Sequence, residues 1–123
     1  MANELTLSGS ITFNDTDEMA SVSALNVSMT GTRFIHMRKS INYAAEEALD
    51  LGELSGSSLG WFYAKNLDST NYLEIRSGTG ASNDVIKLKA GEFCLFRWGS
   101  DVTAPYALAN TASCLLEYRI YEA

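Results

Sequence analysis

The sequence predicts an all-β protein, an antiparallel β-sandwich of about eight strands with a jelly-roll-like arrangement. Apolar and polar residues alternate with a period of two from one end of the chain to the other. Clusters of Gly, Asn, Asp and Ser interrupt this alternation roughly every ten residues, as turns between short strands do. The even number of paired strand-like segments fits two packed sheets. Only residues 44–52 favour a helix by composition, and that stretch is too short for a stable one.

Length and composition predict one globular domain spanning residues 1–123. The chain has 123 residues, of which 46% are apolar and 20% are charged. These values are ordinary for a folded domain, and the length suffices for one hydrophobic core. Residues 1–6 precede the first glycine, and we expect that they can form an N-terminal arm.

The charge of the chain indicates which partners to exclude. Fifteen acidic and nine basic side chains give a formal charge of −6. Binding to nucleic acid or to an anionic membrane needs a dense basic surface, so neither partner is expected. No apolar run reaches the roughly twenty residues of a membrane helix, and residues 1–5 lack the features of a signal peptide. The sequence therefore predicts synthesis and retention in a cytoplasm.

The first half of the chain contains several strands whose faces the sequence predicts. Leu5, Leu7, Ile11 and Phe13 share one face of a first strand, which we expect to be half-buried against the core. Residues 25–30 alternate again after an acidic turn at residues 14–18. Residues 34–43 form a further strand, with its basic face exposed.

The second half predicts two β-hairpins and a terminal strand. One hairpin joins residues 59–65 to residues 71–76, and the other joins residues 84–89 to residues 92–98. Gly91 can supply the positive φ that the second tight turn needs. The last strand, with Cys114, Leu116, Tyr118 and Ile120 inward, is apolar enough to be central or covered.

No pattern for catalysis is present, and the sequence predicts a protein that is not an enzyme and has no catalytic residues. His36 is the only histidine, which removes most nucleophile and base pairs. The acidic pairs Glu46 with Glu47, and Glu117 with Glu122, could serve glycoside hydrolysis only if the fold set their spacing.

Cofactor and metal motifs are also missing, so we predict no cofactor and no metal. Cys94 and Cys114 lie in separate apolar runs and are expected to be buried thiols, a disulfide or functional thiol being the alternative. Residues 78–83 lack the third glycine of a dinucleotide loop and are expected to form a hairpin tip. The acidic turn at residues 14–18 is expected to be solvated, and cation binding there is left open.

Most aromatic side chains in the strands are expected to fill the core, since strand aromatics usually do. Tyr72 and Tyr121 fall on faces predicted to be polar, and they are candidates for a carbohydrate platform or an intersubunit patch. The other aromatics considered for such a surface are Trp61, Phe62, Tyr63, Trp98, Tyr106 and Tyr118.

A set of segments in the last two thirds of the chain, from Glu46 onward, carries a family resemblance. These segments are residues 46–52, 60–62, 65–68, 71–76, 88–92, 96–97 and 110–112. Together they resemble a group of small tailed-bacteriophage virion proteins, the capsid decoration or cement-like β-sandwich family.

This resemblance implies a structural protein of the virion, made in the host bacterial cytoplasm and lacking catalysis. The implied partners are the major capsid protein, whose lattice it would bind and stabilise, and copies of itself, expected as a homotrimer. The N-terminal residues 1–6 are expected to contribute to the binding region. The alternative is a tail, baseplate or fibre component, an adhesin that binds host surface glycans.

Overall fold

The computed structural model describes residues 4–16 and 18–123. The chain divides into two compact units, Met1–Gly31 and Thr32–Ala123, where the sequence predicted one domain with an arm at residues 1–6. Residues 1–3 of that arm lie outside the described residues. Leu5 already begins the first strand. No helix among the described residues is long and apolar enough to cross a membrane.

The first unit is a β-hairpin of β1 (Leu5–Phe13) and β2 (Glu18–Val27), paired antiparallel. The predicted alternation in β1 is present, but the prediction that its apolar face is half-buried along its length is wrong, since Ile11 is 74% exposed. Alternation defines a face without deciding whether anything covers it. The register places Glu18 opposite Phe13 at the turn end of this face, together with the following apolar side chains: Leu5, Leu7, Ile11, Phe13, Ala20, Val22, Leu25 and Val27.

The second unit is a sandwich of two four-stranded antiparallel sheets. One sheet has the order β3-β10-β5-β8 and the other has the order β4-β9-β6-β7. These strands confirm the predicted all-β antiparallel sandwich, and six of their seven connections cross between the sheets, which is compatible with a jelly-roll-like arrangement. Their bounds are β3 (Phe34–Ile41), β4 (Glu47–Ala48), β5 (Leu59–Asn66), β6 (Leu73–Arg76), β7 (Asp84–Leu88), β8 (Phe93–Arg97), β9 (Tyr106–Ala109) and β10 (Cys114–Glu122), with short 3₁₀ turns at Gly56–Ser58 and Ala81–Asn83.

The two predicted hairpins are wrong in their pairing, although their strands are present. β5 pairs with β8, and β6 pairs with β7, so one pair is nested within the other along the chain. The predicted tight turn is correct at Gly91, whose φ is 80°. That turn nevertheless carries the chain from one sheet to the other. Hydrophobic alternation specifies strands and faces, while the partner of each strand depends on how the sheets stack.

The core lies between the two sheets and is rich in aromatic contacts. The ring of Phe62 lies 5.0 Å from that of Trp98 and 5.3 Å from that of Phe96. The terminal strand β10 lies between β3 and β5, which confirms the prediction of a central or covered strand. Its four predicted inward side chains, Cys114, Leu116, Tyr118 and Ile120, are fully buried.

The side chain of Asn66 stabilises the corner at which β5 ends and the chain leaves its sheet. Asn66 is fully buried, and its side-chain amide donates to the carbonyl oxygens of Asn71 at 2.9 Å and Leu88 at 3.0 Å. Its side-chain oxygen accepts from the backbone N–H of Asp68 at 2.9 Å. Leu88 ends β7 in the opposite sheet. One side chain therefore ties the corner of one sheet to the end of a strand in the other.

Candidate functional site

The candidate site is the outer face of the sheet β3-β10-β5-β8, the face opposite the core. Alternation in each strand places one set of side chains inward and the other outward, and the inward set is buried. The outward set combines aromatic rings with basic groups. This outer face consists of Phe34, His36, Arg38, Ser40, Trp61, Tyr63, Lys65, Phe93, Leu95, Arg97, Leu115, Glu117, Arg119 and Tyr121.

The charge of the outer face is opposite to that of the whole chain. It holds Arg38, Lys65, Arg97 and Arg119, which are four of the nine basic residues, and one acidic residue, Glu117. The remainder of the chain is correspondingly more acidic. The predicted basic exposed face of β3 is therefore confirmed, and it extends across the neighbouring strands.

Aromatic side chains on this face are arranged in contacting groups. The rings of Phe34 and Tyr121 stack at 5.6 Å with an interplanar angle of 20°. The guanidinium of Arg97 lies 5.5 Å from the centre of the Trp61 ring, within cation–π range. Phe93 is 64% exposed although it packs beside a tyrosine ring. Aromatic and arginine side chains are the types that contribute most to protein interfaces.

An ion-pair cluster occupies the part of this face near β3 and β10. Nε2 of His36 lies 2.8 Å from Oε2 of Glu117, and Nε of Arg38 lies 3.7 Å from the same oxygen. The hydrogen bond with His36 lowers the pKa of Glu117, and the positive charges of Arg38 and Arg119 lower it further. The carboxylate therefore remains charged below the ordinary glutamate range.

Acidification is expected to remove the stabilisation that this cluster supplies. Because the folded-state pKa of Glu117 lies below its ordinary value of 4.5, its contribution is complete above that value and is lost as the pH falls through the folded-state pKa. Melting temperatures measured across this acidic range check the prediction. In Glu117→Gln the melting temperature should change less with pH than in Glu53→Gln. The Glu53 variant is the control, because it makes the same change of charge at an exposed position. Parallel profiles for the two variants would contradict it.

The acidic residues that the sequence flagged for catalysis are engaged elsewhere. Oε1 of Glu46 accepts from the Arg76 guanidinium and from the backbone N–H of Gly80. Glu47 lies 3.9 Å from the Lys39 ammonium. Glu117 lies on the outer face, and Glu122 accepts from the backbone N–H of Arg33 at 3.0 Å. Neither flagged pair is assembled as two facing carboxylates.

The ion pairs of Arg76 form a second charged cluster, in the sheet β4-β9-β6-β7. Arg76 is 7% exposed, and its guanidinium contacts Glu46 and Asp84, each at 2.5 Å. Hydrogen bonding to Asp84 raises the pKa of Arg76, so the arginine stays charged. The cluster links the segment before β4 to β6 and β7 and so stabilises the fold.

The two cysteines are free and poorly suited to reactions as thiolates. Cys114 is buried, and Cys94 is half-buried. Burial raises the pKa of Cys94 to about 12 and also raises that of Cys114. A raised thiol pKa disfavours both nucleophilic attack and soft-metal binding at neutral pH.

The remaining candidate segments carry no assembled site in the described part of the chain. Residues 78–83 join β6 to β7 and form the predicted hairpin tip, with Gly80 at a φ of 90°. Asp17 of the acidic turn lies outside the described residues. Elsewhere in the described chain, no group of three or more His, Cys, Asp or Glu side chains is placed to hold a metal.

The flagged aromatic residues separate into three groups. Phe62, Trp98 and Tyr118 lie in the core, as most strand aromatics were expected to do. Trp61, Tyr63 and Tyr121 lie on the outer face, so Tyr121 is on a polar, partly exposed face as predicted. Tyr72 is half-buried with the Lys87 ammonium 4.1 Å from its ring centre, and Tyr106 is half-buried in β9.

Sequence reasoning missed Phe34 and Phe93, which are more exposed than any aromatic it singled out for a surface patch. Their spacing contained the necessary signal, because Phe34 alternates in phase with His36 and Arg38, and Phe93 alternates in phase with Arg97. Large apolar residues in phase with arginines indicate an outward face. Comparisons of the chain with protein families, with curated proteins and with solved structures give no match.

Proposed function

We propose that this protein is a non-enzymatic structural component of a tailed-phage virion, a capsid decoration or cement protein. In this role it binds the major capsid lattice and stabilises it. The observation that carries the proposal is the basic, aromatic outer face on an otherwise acidic chain. The sequence segments that resemble virion proteins are the reason for proposing a phage particle as the site of assembly.

The composition of the outer face favours a protein surface as its partner. Exposed Phe34, Phe93 and Leu95 supply apolar area, and the surrounding arginines supply directional hydrogen bonds. Basic groups on an acidic chain orient it toward an acidic partner surface and keep its acidic surfaces away from that surface. A four-stranded sheet backed by a core presents these groups rigidly, which lowers the entropy lost on binding.

Because the binding sites repeat over a capsid lattice, an outer face of this size is sufficient for stable attachment. The copies, expected as a homotrimer, engage several lattice sites at once, and linked weak contacts add into strong attachment. Shell stabilisation then follows, because each bound oligomer holds neighbouring capsid subunits together.

The test uses particles that lack the protein and purified protein added back. We expect such particles to lose resistance to heat and to regain it on addition of the wild-type chain. Arg38→Glu and Arg97→Glu should lower particle binding by at least tenfold, with a reduced salt dependence. Lys89→Glu makes the same charge change at an exposed position that directly follows β7 of the other sheet, and it should bind as the wild type does. Unchanged particle stability and absence of the protein from the shell would reject the proposal.

A second candidate is a tail, baseplate or fibre adhesin that binds host surface glycans. The observation favouring it is the row of partly exposed rings at Trp61, Tyr63 and Tyr121, since flat aromatic faces pack against sugar rings. A glycan array probed with the purified protein tests it. Binding that is lost in Trp61→Ala and kept in Lys89→Glu would favour the adhesin, and an array without any binder would exclude it.

A further inference from the structure

The hairpin β1–β2 has an apolar face with several largely exposed side chains. Ile11 is 74% exposed, and Phe13 and Val22 are each 56% exposed. A hairpin of two strands is marginally stable in water unless a further strand or another element packs on it. Strands of nine and ten residues with one apolar face therefore require a packing partner.

A β-bulge in β2 keeps the apolar side chains of the hairpin on one continuous face. Between the pairs Leu7–Leu25 and Gly9–Val22, β2 contains one residue more than β1. The extra residue shifts the phase of β2, so that Val22 stays on the same face as Leu25. Ala24 adopts a φ of 54° at the bulge, a conformation that costs an alanine about 1 kcal/mol. Burial of the resulting continuous apolar face would offset this cost.

The distribution of charge favours other copies of this chain as the occupant. Residues 5–13 and 19–32 contain no charged side chain, and residues 1–32 contain no lysine or arginine. Copies of a chain with a charge of −6 repel one another, so they associate best through a surface that carries no charge. The hairpin offers such a surface over most of both faces, and Glu18, opposite Phe13 at the turn end, is the one charged side chain in either strand.

The strand edges point to the same occupant. β1 and β2 form a two-stranded sheet, so each leaves one edge without a strand partner in the described part of the chain. Exposed edges are ordinarily protected by lysine or proline, and neither residue type occurs in residues 1–32. The β1 edge of one copy and the β2 edge of another can pair on either side of the bulge, and that pairing continues the antiparallel order.

The area of the face decides between a dimer and a ring. A two-stranded face of this length covers about 300 Å², from roughly 3.4 Å per residue and 4.8 Å between strands. Two such faces would bury about 600 Å², below the 1,200 Å² or more of stable interfaces. In a closed ring each hairpin uses its face and both edges, which raises the buried area per copy.

We propose that this hairpin is the element through which copies of the chain associate. The β1 edge of one copy pairs with the β2 edge of the next, and three or four hairpins close into a barrel of six or eight strands. The apolar faces fill its interior. This inference rests on the expectation within the proposed function that copies associate, and it assigns that association to named residues.

The experiment measures the mass of the purified full chain in solution by light scattering. We expect a wild-type mass of at least three times the 13.4 kDa of one chain. Ile11→Glu and Val22→Glu place a charge on the apolar face and should reduce the mass to that of a monomer. Ser10→Glu and Ser21→Glu add the same charge one residue away on the opposite face, and they should keep the wild-type mass. Fluorescence of Trp61 and Trp98 verifies that the sandwich stays folded in each variant.

A monomeric wild-type chain would overturn the inference, as would equal masses for Val22→Glu and Ser21→Glu. A wild-type dimer would overturn the ring. Particle binding by the outer-face variants is measured separately. A ring that does not bind particles would therefore reject the capsid role and leave the hairpin inference standing.

Discussion

Replacing Asn66 with alanine is expected to lower the free energy of unfolding by about 3 kcal/mol. The substitution removes three hydrogen bonds, namely those to the carbonyls of Asn71 and Leu88 and the one from the N–H of Asp68. The Asn66 side chain that makes these bonds is fully buried, so water replaces them poorly. Chemical denaturation followed by tryptophan fluorescence measures the loss.

Asn83→Ala is the matched control for this experiment. Asn83 is exposed, and its amide donates one hydrogen bond, to the carbonyl oxygen of Thr79. Water can take over that bond, so we expect a loss of about 0.5 kcal/mol. Asn66→Asp keeps the shape of the side chain and turns an oxygen toward two carbonyls, and it should destabilise at least as much as Asn66→Ala. Comparable losses at positions 66 and 83 would show that the corner does not depend on Asn66.

Replacing Arg76 with alanine is expected to lower the free energy of unfolding by about 3 kcal/mol. The buried guanidinium neutralises Glu46 and Asp84, and its removal leaves two partly buried carboxylates without a cation. The segment before β4 would then lose its attachment to β6 and β7. Thermal and chemical unfolding of the variant measure the effect.

Arg38→Ala provides the contrast, because Arg38 also pairs with a carboxylate but its side chain is 64% exposed. Solvent-exposed pairs contribute at most about 1 kcal/mol, so this variant should unfold close to the wild type. The same variant weakens particle binding if the outer face is the docking surface. Losses of equal size for Arg38→Ala and Arg76→Ala would contradict the structural role given to Arg76.

The two proposed surfaces lie in separate parts of the chain. The outer face of the sandwich is basic and aromatic, which suits a different protein of acidic surface. The apolar face of the hairpin carries no charge except at Glu18 beside the turn, which suits identical acidic copies. Variants on one surface are therefore expected to leave the other activity intact, and this separation allows each proposal to fail by itself.

Much of the local structure could be predicted from the sequence because alternation and turn residues are local properties. The strand positions in β3 and β10, the inward set of β10 and the positive φ of Gly91 follow from neighbouring residues alone. The basic exposed face of β3 was likewise predictable, since charged side chains stay in water. The exposure of Phe34 and Phe93 could also be predicted from this alternation, because each lies on the same face of its strand as an arginine.

The tertiary structure decided which strands pair and which apolar faces are covered. The segment with Trp61 pairs with the one containing Arg97, and the strand that follows it along the chain lies in the other sheet. Leu7 and Ile11 have the same pattern as core residues, and nevertheless neither belongs to the buried core. The physical reason is that a period of two determines only the direction of each side chain. The environment that a side chain meets depends on contacts between residues distant in sequence.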